Sequence, residues 1–215
     1  MKRVFFALGL LMLFAATAQA GMQITEWMYD GKNGEFIEFT NMGTSPVDMT
    51  GWSFDDHHET PGVVSLSAFG TVAPGEAVIL TETAAATFRT DWNLPGTVEV
   101  IGGNKTNIGR DDELNLYDAS NNLVDRLSYG DDINFPGTIR TKGISGNPTS
   151  TSVLGTNNVA GWVLSSANDA YGSWTSSGGD IGSPGVCNFA VPEPASIALA
   201  LIGLASLIGL RRRWL

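Results

Sequence analysis

The 215-residue sequence holds one cysteine, two histidines, and 12 lysines and arginines against 22 aspartates and glutamates. A single thiol, Cys187, excludes an intramolecular disulfide and is expected to be buried or idle. Both histidines stand side by side at 57 and 58, which leaves little choice of catalytic base. The G-x-S-x-G elbow, the H-E-x-x-H zinc spacing and the EF-hand loop with glycine at its sixth position are all missing. Basic surface is scarce too. Across residues 21–190 there are 7 Lys+Arg against 21 Asp+Glu, a formal charge of −14, because five basic residues and one acidic residue lie outside that stretch. Such a surface repels a phosphate backbone, so nucleic acid is excluded as a partner, while solubility and divalent cations are favoured. No internal repeat occurs, and helical character is confined to residues 83–91, where three alanines lead to Phe88 and Trp92 four apart.

The two ends are apolar. Lys2 and Arg3 precede an apolar run at 4–16 and an A-x-A site formed by Ala18 and Ala20, the pattern of a secretory signal cleaved before Gly21. The run falls short of the roughly 20 residues of a spanning helix, and the twin arginine of folded export is absent. At the other end, Pro192-Glu193-Pro194 leads into an apolar run at 196–210 and then Arg211-Arg212-Arg213. The arginines place that end in the cytoplasm and the preceding chain outside it, associated with the inner membrane through a short transmembrane helix. The run and the basic end alone fit a plain stop-transfer anchor equally well.

Between the ends the period is two. In residues 35–54, Ile37 and Phe39 share one strand face and Phe36 and Glu38 the other. A turn at 41–46 follows, then a short strand through Val47 and Met49, a break at Gly51, and a third strand with Trp52 and Phe54. Further strands are expected at 22–29, 63–66, 77–81, 97–101, 113–117 and 123–129, the last with Leu123, Leu127 and Tyr129 on one face. Turn signals at this spacing predict an all-β sandwich of two antiparallel sheets, with Trp52, Ile37, Phe39, Leu116 and Leu127 in one core. From 130 to 188 the composition shifts to Gly, Ser, Thr, Asn and Pro, with Trp162, Val163, Leu164, Tyr171 and Trp174 as apolar anchors. The tryptophans argue for an ordered, irregular cover rather than a disordered linker. The organisation expected is a signal peptide at 1–20, a sandwich at 21–132, an extension at 133–190 packed on it, and a sorting tail at 191–215.

The densest set of potential metal ligands is Asp55-Asp56-His57-His58-Glu59. Adjacent histidines on an extended chain point opposite ways, so reaching one zinc or calcium ion requires a turn; a solvated loop is the alternative. Asp111-Asp112-Glu113 and Asp131-Asp132 offer oxygen ligands for calcium but read equally as charged loop tips. Glu35 and Glu38 fall on opposite faces, which argues against a carboxylate pair. Cys187-Asn188 lacks the setting of a nucleophile. Asn104-Lys105-Thr106 matches a glycosylation sequon, a pattern frequent by chance. No catalytic site is evident, and no cofactor is expected beyond a candidate calcium ion.

Ile24-Thr25-Glu26, the run from Glu35 to Asn41 (EFIEFTN) and Val47-Asp48-Met49-Thr50-Gly51-Trp52 together resemble a lamin tail domain. So do Val72-Ala73-Pro74-Gly75-Glu76, the DELNLYD run at 112–118, the VDRLSYG run at 124–130, and Ser183-Pro184-Gly185 with Asn188. The resemblance implies an immunoglobulin-like antiparallel β-sandwich that serves bacteria as an exported accessory module and has no catalytic residues of its own. Pro192-Glu193-Pro194, the apolar run and the arginine cluster resemble the PEP-CTERM sorting signal. That likeness implies processing by an exosortase-type membrane enzyme in bacteria that export exopolysaccharide. The leading expectation is a non-enzymatic protein of the cell surface, outer membrane or extracellular matrix that binds or structures matrix polysaccharide or another surface protein. A secreted hydrolase assisted by a metal at the histidine loop and a calcium-stabilised adhesin are the alternatives.

Overall fold

The structure is a computed structural model that describes residues 21–130 and 139–189. The signal-peptide residues Ala18 and Ala20, Asp131 and Asp132, and the tail with Pro192, Glu193, Pro194, Arg211, Arg212 and Arg213 lie outside the described residues; Gly21 is the first inside them. Among the described residues no helix is long and apolar enough to cross a membrane.

The strands, in chain order, are β1 (Met22–Met28), β2 (Phe36–Asn41), β3 (Val47–Asp48), β4 (Ser53–Asp55), β5 (Val64–Ser65), β6 (Thr71–Val72) and β7 (Ala77–Thr81). One helix, α1 (Ala85–Asp91), intervenes. The series continues with β8 (Glu99–Ile101), β9 (Asp112–Tyr117), β10 (Leu123–Tyr129), β11 (Gly146–Pro148), β12 (Trp162–Leu164), β13 (Trp174–Thr175) and β14 (Ile181–Gly182). A six-stranded sheet in the order β12-β11-β1-β2-β7-β8 faces a four-stranded sheet in the order β10-β9-β4-β5. This is the all-β sandwich that the turn spacing predicts, of the immunoglobulin-like kind that the resemblance implies. One pairing departs from the expected pattern: β8 runs parallel to β7, because α1 lies between them in sequence and carries the chain back to the start of the sheet edge.

The core between the sheets is built from Ile24, Trp27, Ile37, Phe39, Val78 and Leu80 on one side and Phe54, Leu114, Leu116, Leu127 and Tyr129 on the other. Ile24 and Trp27 are three apart, yet both face inward, because a bulge between Ile24 and Glu26 inserts one extra residue opposite β2. Trp27 stacks on Tyr129 with ring centroids 3.8 Å apart, tying the two sheets together.

Two expected inward positions move. Trp52 is only half-buried at the margin of this core, because β4 begins one residue later and Phe54 takes the central place. Leu123 is 45% exposed: a bulge between Leu123 and Asp125 shifts the inward set of β10 to Asp125, Leu127 and Tyr129. Asp125 accepts a bond of 2.8 Å from the Ile24 amide on the facing sheet.

The outer face of the large sheet is also covered. Met28, Phe36 and Ile79 project from it into a second cluster with Phe88 of α1, Trp92 just after the helix and Val98, and Trp174 packs against this group. Residues 139–189 reach the sheet from both directions, as β11 paired to β1 and β12 paired to β11, and as a return segment laid over the outer face. Every residue of β1 and β2 is therefore buried on both faces.

Phe54→Ala should lose about 3–5 kcal/mol of unfolding free energy, the usual cost of emptying a large aromatic site. Trp52→Ala, at the margin, should lose less than half as much. Urea unfolding of the two variants against the wild type measures both.

Candidate functional site

Two groups of chemistry-bearing side chains stand out, one buried under the cover and one at the loop after β4. The buried group begins with the β1–β2 hairpin, whose register sets Glu26 directly opposite Glu38 on the outer face. Both side chains are shut off from solvent. Glu26 Oε1 accepts from the Ser183 amide at 2.7 Å and from the Ser145 hydroxyl. Glu38 Oε2 accepts from the Gly185 amide at 2.7 Å, and its Oε1 accepts from Thr25 Oγ1 at 2.6 Å.

Gly182 is what permits this approach, since a Cβ there would sit 3.0 Å from Glu26 Oε1 and 2.9 Å from Ser145 Oγ. Gly185 takes φ +87° at the turn that aims its amide at Glu38. The tip of the same hairpin holds the return segment a third time: Asn33 Oδ1 accepts from Ser176 Oγ at 2.6 Å and the Gly178 amide at 2.8 Å, and its own amide donates to Asp180 Oδ2 at 2.8 Å.

Burial pushes both carboxyls of the Glu26–Glu38 pair upward, and the charge of Glu38 adds to the rise at Glu26. Among the described residues Glu26 Oε2 has no hydrogen-bond partner. Sequence reasoning compared Glu35 with Glu38, found them on opposite faces and missed this pair. Closing the hairpin at Asp30–Gly34 and counting back along both strands would have found it.

Glu35 occupies a separate place. Both its oxygens face the Ile108 amide at 3.2 Å, and burial pushes its pKa up to about 8. It lies at the base of a cleft with Tyr29, Glu82, Arg110 and Lys142. Asp125 is raised to about 6, again by burial. The Cys187 thiol, half-buried beside Met42, is pushed up to about 11 by burial, which leaves it unreactive at neutral pH.

The loop after β4 is a tight turn. The Asp56 carbonyl accepts from the Glu59 amide at 3.2 Å and from Asn115 Nδ2 at 2.8 Å, while Glu59 sits at φ +53°. Of the five residues singled out in sequence, the turn gathers three: ligand atoms of Asp56, His57 and His58 all lie within 4.8 Å of one another. The two rings lie 4.3 Å apart at 32°, the opposite of their divergence on an extended chain.

Asp55 and Glu59 are turned elsewhere. Asp55 Oδ2 accepts from the Thr60 amide at 2.6 Å, and Glu59 pairs with Arg126 at 2.7 Å. His58 Nδ1 lies 2.7 Å from Asp56 Oδ1, whose hydrogen bond and charge hold the imidazole above its ordinary pKa. His57 Nδ1 lies 3.3 Å from Asp112 Oδ1. The calcium candidates do not converge: Asp111 pairs with Arg140, Asp112 caps the Gly109 amide, and Glu113 is bound by Arg126 and Ser128.

The comparisons with known proteins divide the chain in two. A family model described as Lamin Tail Domain matches residues 15–131, and one described as PEP-CTERM protein-sorting motif matches residues 190–213. No curated protein matches the chain.

The raised carboxyls set a pH dependence. Each binds its proton more tightly folded than unfolded, so its contribution to stability is complete below the ordinary value of 4.5 and is lost as pH rises toward about 8, the value of Glu35. The melting temperature should fall between pH 5 and pH 8.5, and Glu38→Gln should flatten that slope. A wild-type melting temperature that rises across the same range would contradict the assignment.

Proposed function

From the premise that this chain belongs to the lamin tail domain family and ends in a PEP-CTERM sorting motif, we propose a non-enzymatic surface module that binds or structures matrix polysaccharide or protein. The motif marks the protein for recognition by an exosortase-type membrane enzyme, and so for export across the inner membrane and sorting to the cell surface. The observation that carries the proposal is the order of the two matches on one chain, a module without catalytic residues of its own followed by a sorting signal.

The fold agrees with this order. The return segment is still bonded at Asn188, whose side chain donates to the Ala170 carbonyl at 2.8 Å, and Phe189 packs on the core. Pro192 follows three residues later in sequence. The module and the signal are therefore joined with almost no spacer between them.

In the proposed mechanism Pro192-Glu193-Pro194 is held extended by its prolines for the processing enzyme, and Arg211, Arg212 and Arg213 fix the orientation of the tail. Matrix polysaccharide or a second surface protein is the proposed partner of the module. Metal-assisted hydrolysis at the histidine loop is the weaker reading, because the cleft beside it is open and is lined by Asp55, Asp56 and His58 without His57.

Replacing Pro192, Glu193 and Pro194 by alanines should leave export intact and trap an unprocessed, membrane-bound form. Deletion from Val191 onward should release a folded soluble domain. Immunoblots of membrane and culture fractions read both outcomes, and wild-type processing of the triple variant would remove the sorting mechanism. For the partner, the released domain should co-sediment with exopolysaccharide prepared from the producing cells; failure with both that material and the cells' surface proteins would overturn the matrix role.

A further inference from the structure

We propose that Asp56, His57 and His58 form a surface site for a divalent transition ion of the zinc, copper or nickel class. Three features of the loop carry this. Its turn brings a carboxylate and two imidazoles, adjacent in sequence, within 4.8 Å of one another, where an extended chain would separate them. Bonds of about 2.0–2.2 Å to such an ion set neighbouring ligand atoms roughly 3.3 Å apart in a tetrahedral shell, so the approach still to be made is small. The parts that must move are free to do so: the imidazoles of His57 and His58 are 53% and 69% exposed, whereas Asp56 is held in place.

The second feature is that each imidazole already faces a carboxylate through Nδ1, His57 toward Asp112 and His58 toward Asp56. A carboxylate behind an imidazole fixes its orientation and raises its basicity, the arrangement that supports histidine ligands in metal sites. Asp112 is itself fixed by the Gly109 and Glu113 amides, at 2.5 Å and 2.8 Å, and belongs to buried β9, so this support is rigid. Asp112 is the positioning residue for His57, and Asp56, which faces His58 in this structure, supplies the third ligand.

The third feature selects the ion. Two imidazoles and one carboxylate suit a borderline cation that favours nitrogen, whereas calcium needs six to eight oxygens. The nearby oxygen donors are committed: Asp55 to the Thr60 amide and Glu59 to Arg126. With three protein ligands the remaining positions open to solvent, where an acidic group of a matrix partner could complete the shell.

The test is calorimetric titration of zinc chloride, and in parallel calcium chloride, into the untagged full-length chain in detergent. Zinc should bind at one ion per chain in the micromolar range, and calcium should not compete. His57→Ala and His58→Ala, both at exposed positions, should each weaken zinc at least tenfold. Glu59→Gln, in the same loop but turned to Arg126, should leave the affinity unchanged. Melting curves without metal verify that the histidine variants fold as the wild type does. Zinc binding that survives in the double histidine variant, calcium binding without zinc binding, or no zinc uptake below millimolar concentration would each overturn the site.

Discussion

Two carboxylates that cannot reach water organise this molecule. Removing a charged group from solvent costs several kcal/mol unless it is protonated or well bonded. Glu26 and Glu38 combine both remedies, with burial holding their pKa values high and with bonds accepted from hydroxyls and from two backbone amides. Those amides, at Ser183 and Gly185, come from a segment 157 and 147 residues further along the chain than the acids they bond. Without it the sheet would leave the two acids open to solvent and Trp92 without Trp174 packed on it. The return of the chain over the outer face is thus demanded by the hairpin, and the glycines at 182 and 185 are the conformational means.

This requirement also explains why the domain match, which stops at residue 131, does not mark the limit of the folded body. β11 completes the sheet beside β1, and the return segment completes the outer layer. The two functional halves of the chain meet within a few residues of that layer. Sorting information and folded module are consequently close neighbours, while the histidine turn lies on the other sheet's edge loop, where it does not burden the clasp.

Much of the architecture was legible because period-two runs separated by Gly, Asn, Asp and Pro leave few alternatives. The strand at Phe36–Asn41 and the hairpin of β9 and β10 follow from alternation alone. What alternation could not supply was bulges. One extra residue in β1 brings Trp27 into the core beside Ile24, and another in β10 turns Leu123 out while Asp125 keeps the face of Leu127 and Tyr129; neither leaves a mark in composition. The parallel β7–β8 pair was hidden because direction depends on where a helix returns the chain. Gly146–Pro148 has no strand propensity at all, and its place in the sheet comes from pairing with β1 across Trp27. At the histidine loop the residues were visible but their convergence was not, since it rests on the turn closed between Asp56 and Glu59.

The clasp has a mechanical meaning as well. Tension applied from the C-terminal side first meets Phe189 and the Asn188–Ala170 bond, and then Gly185 and Ser183, which are bonded to Glu38 and Glu26. Those contacts, with Asn33 and Asp180 behind them, bear the load before any strand of the sandwich does. A pull on that side would therefore load the return segment before the paired strands of the two-sheet core.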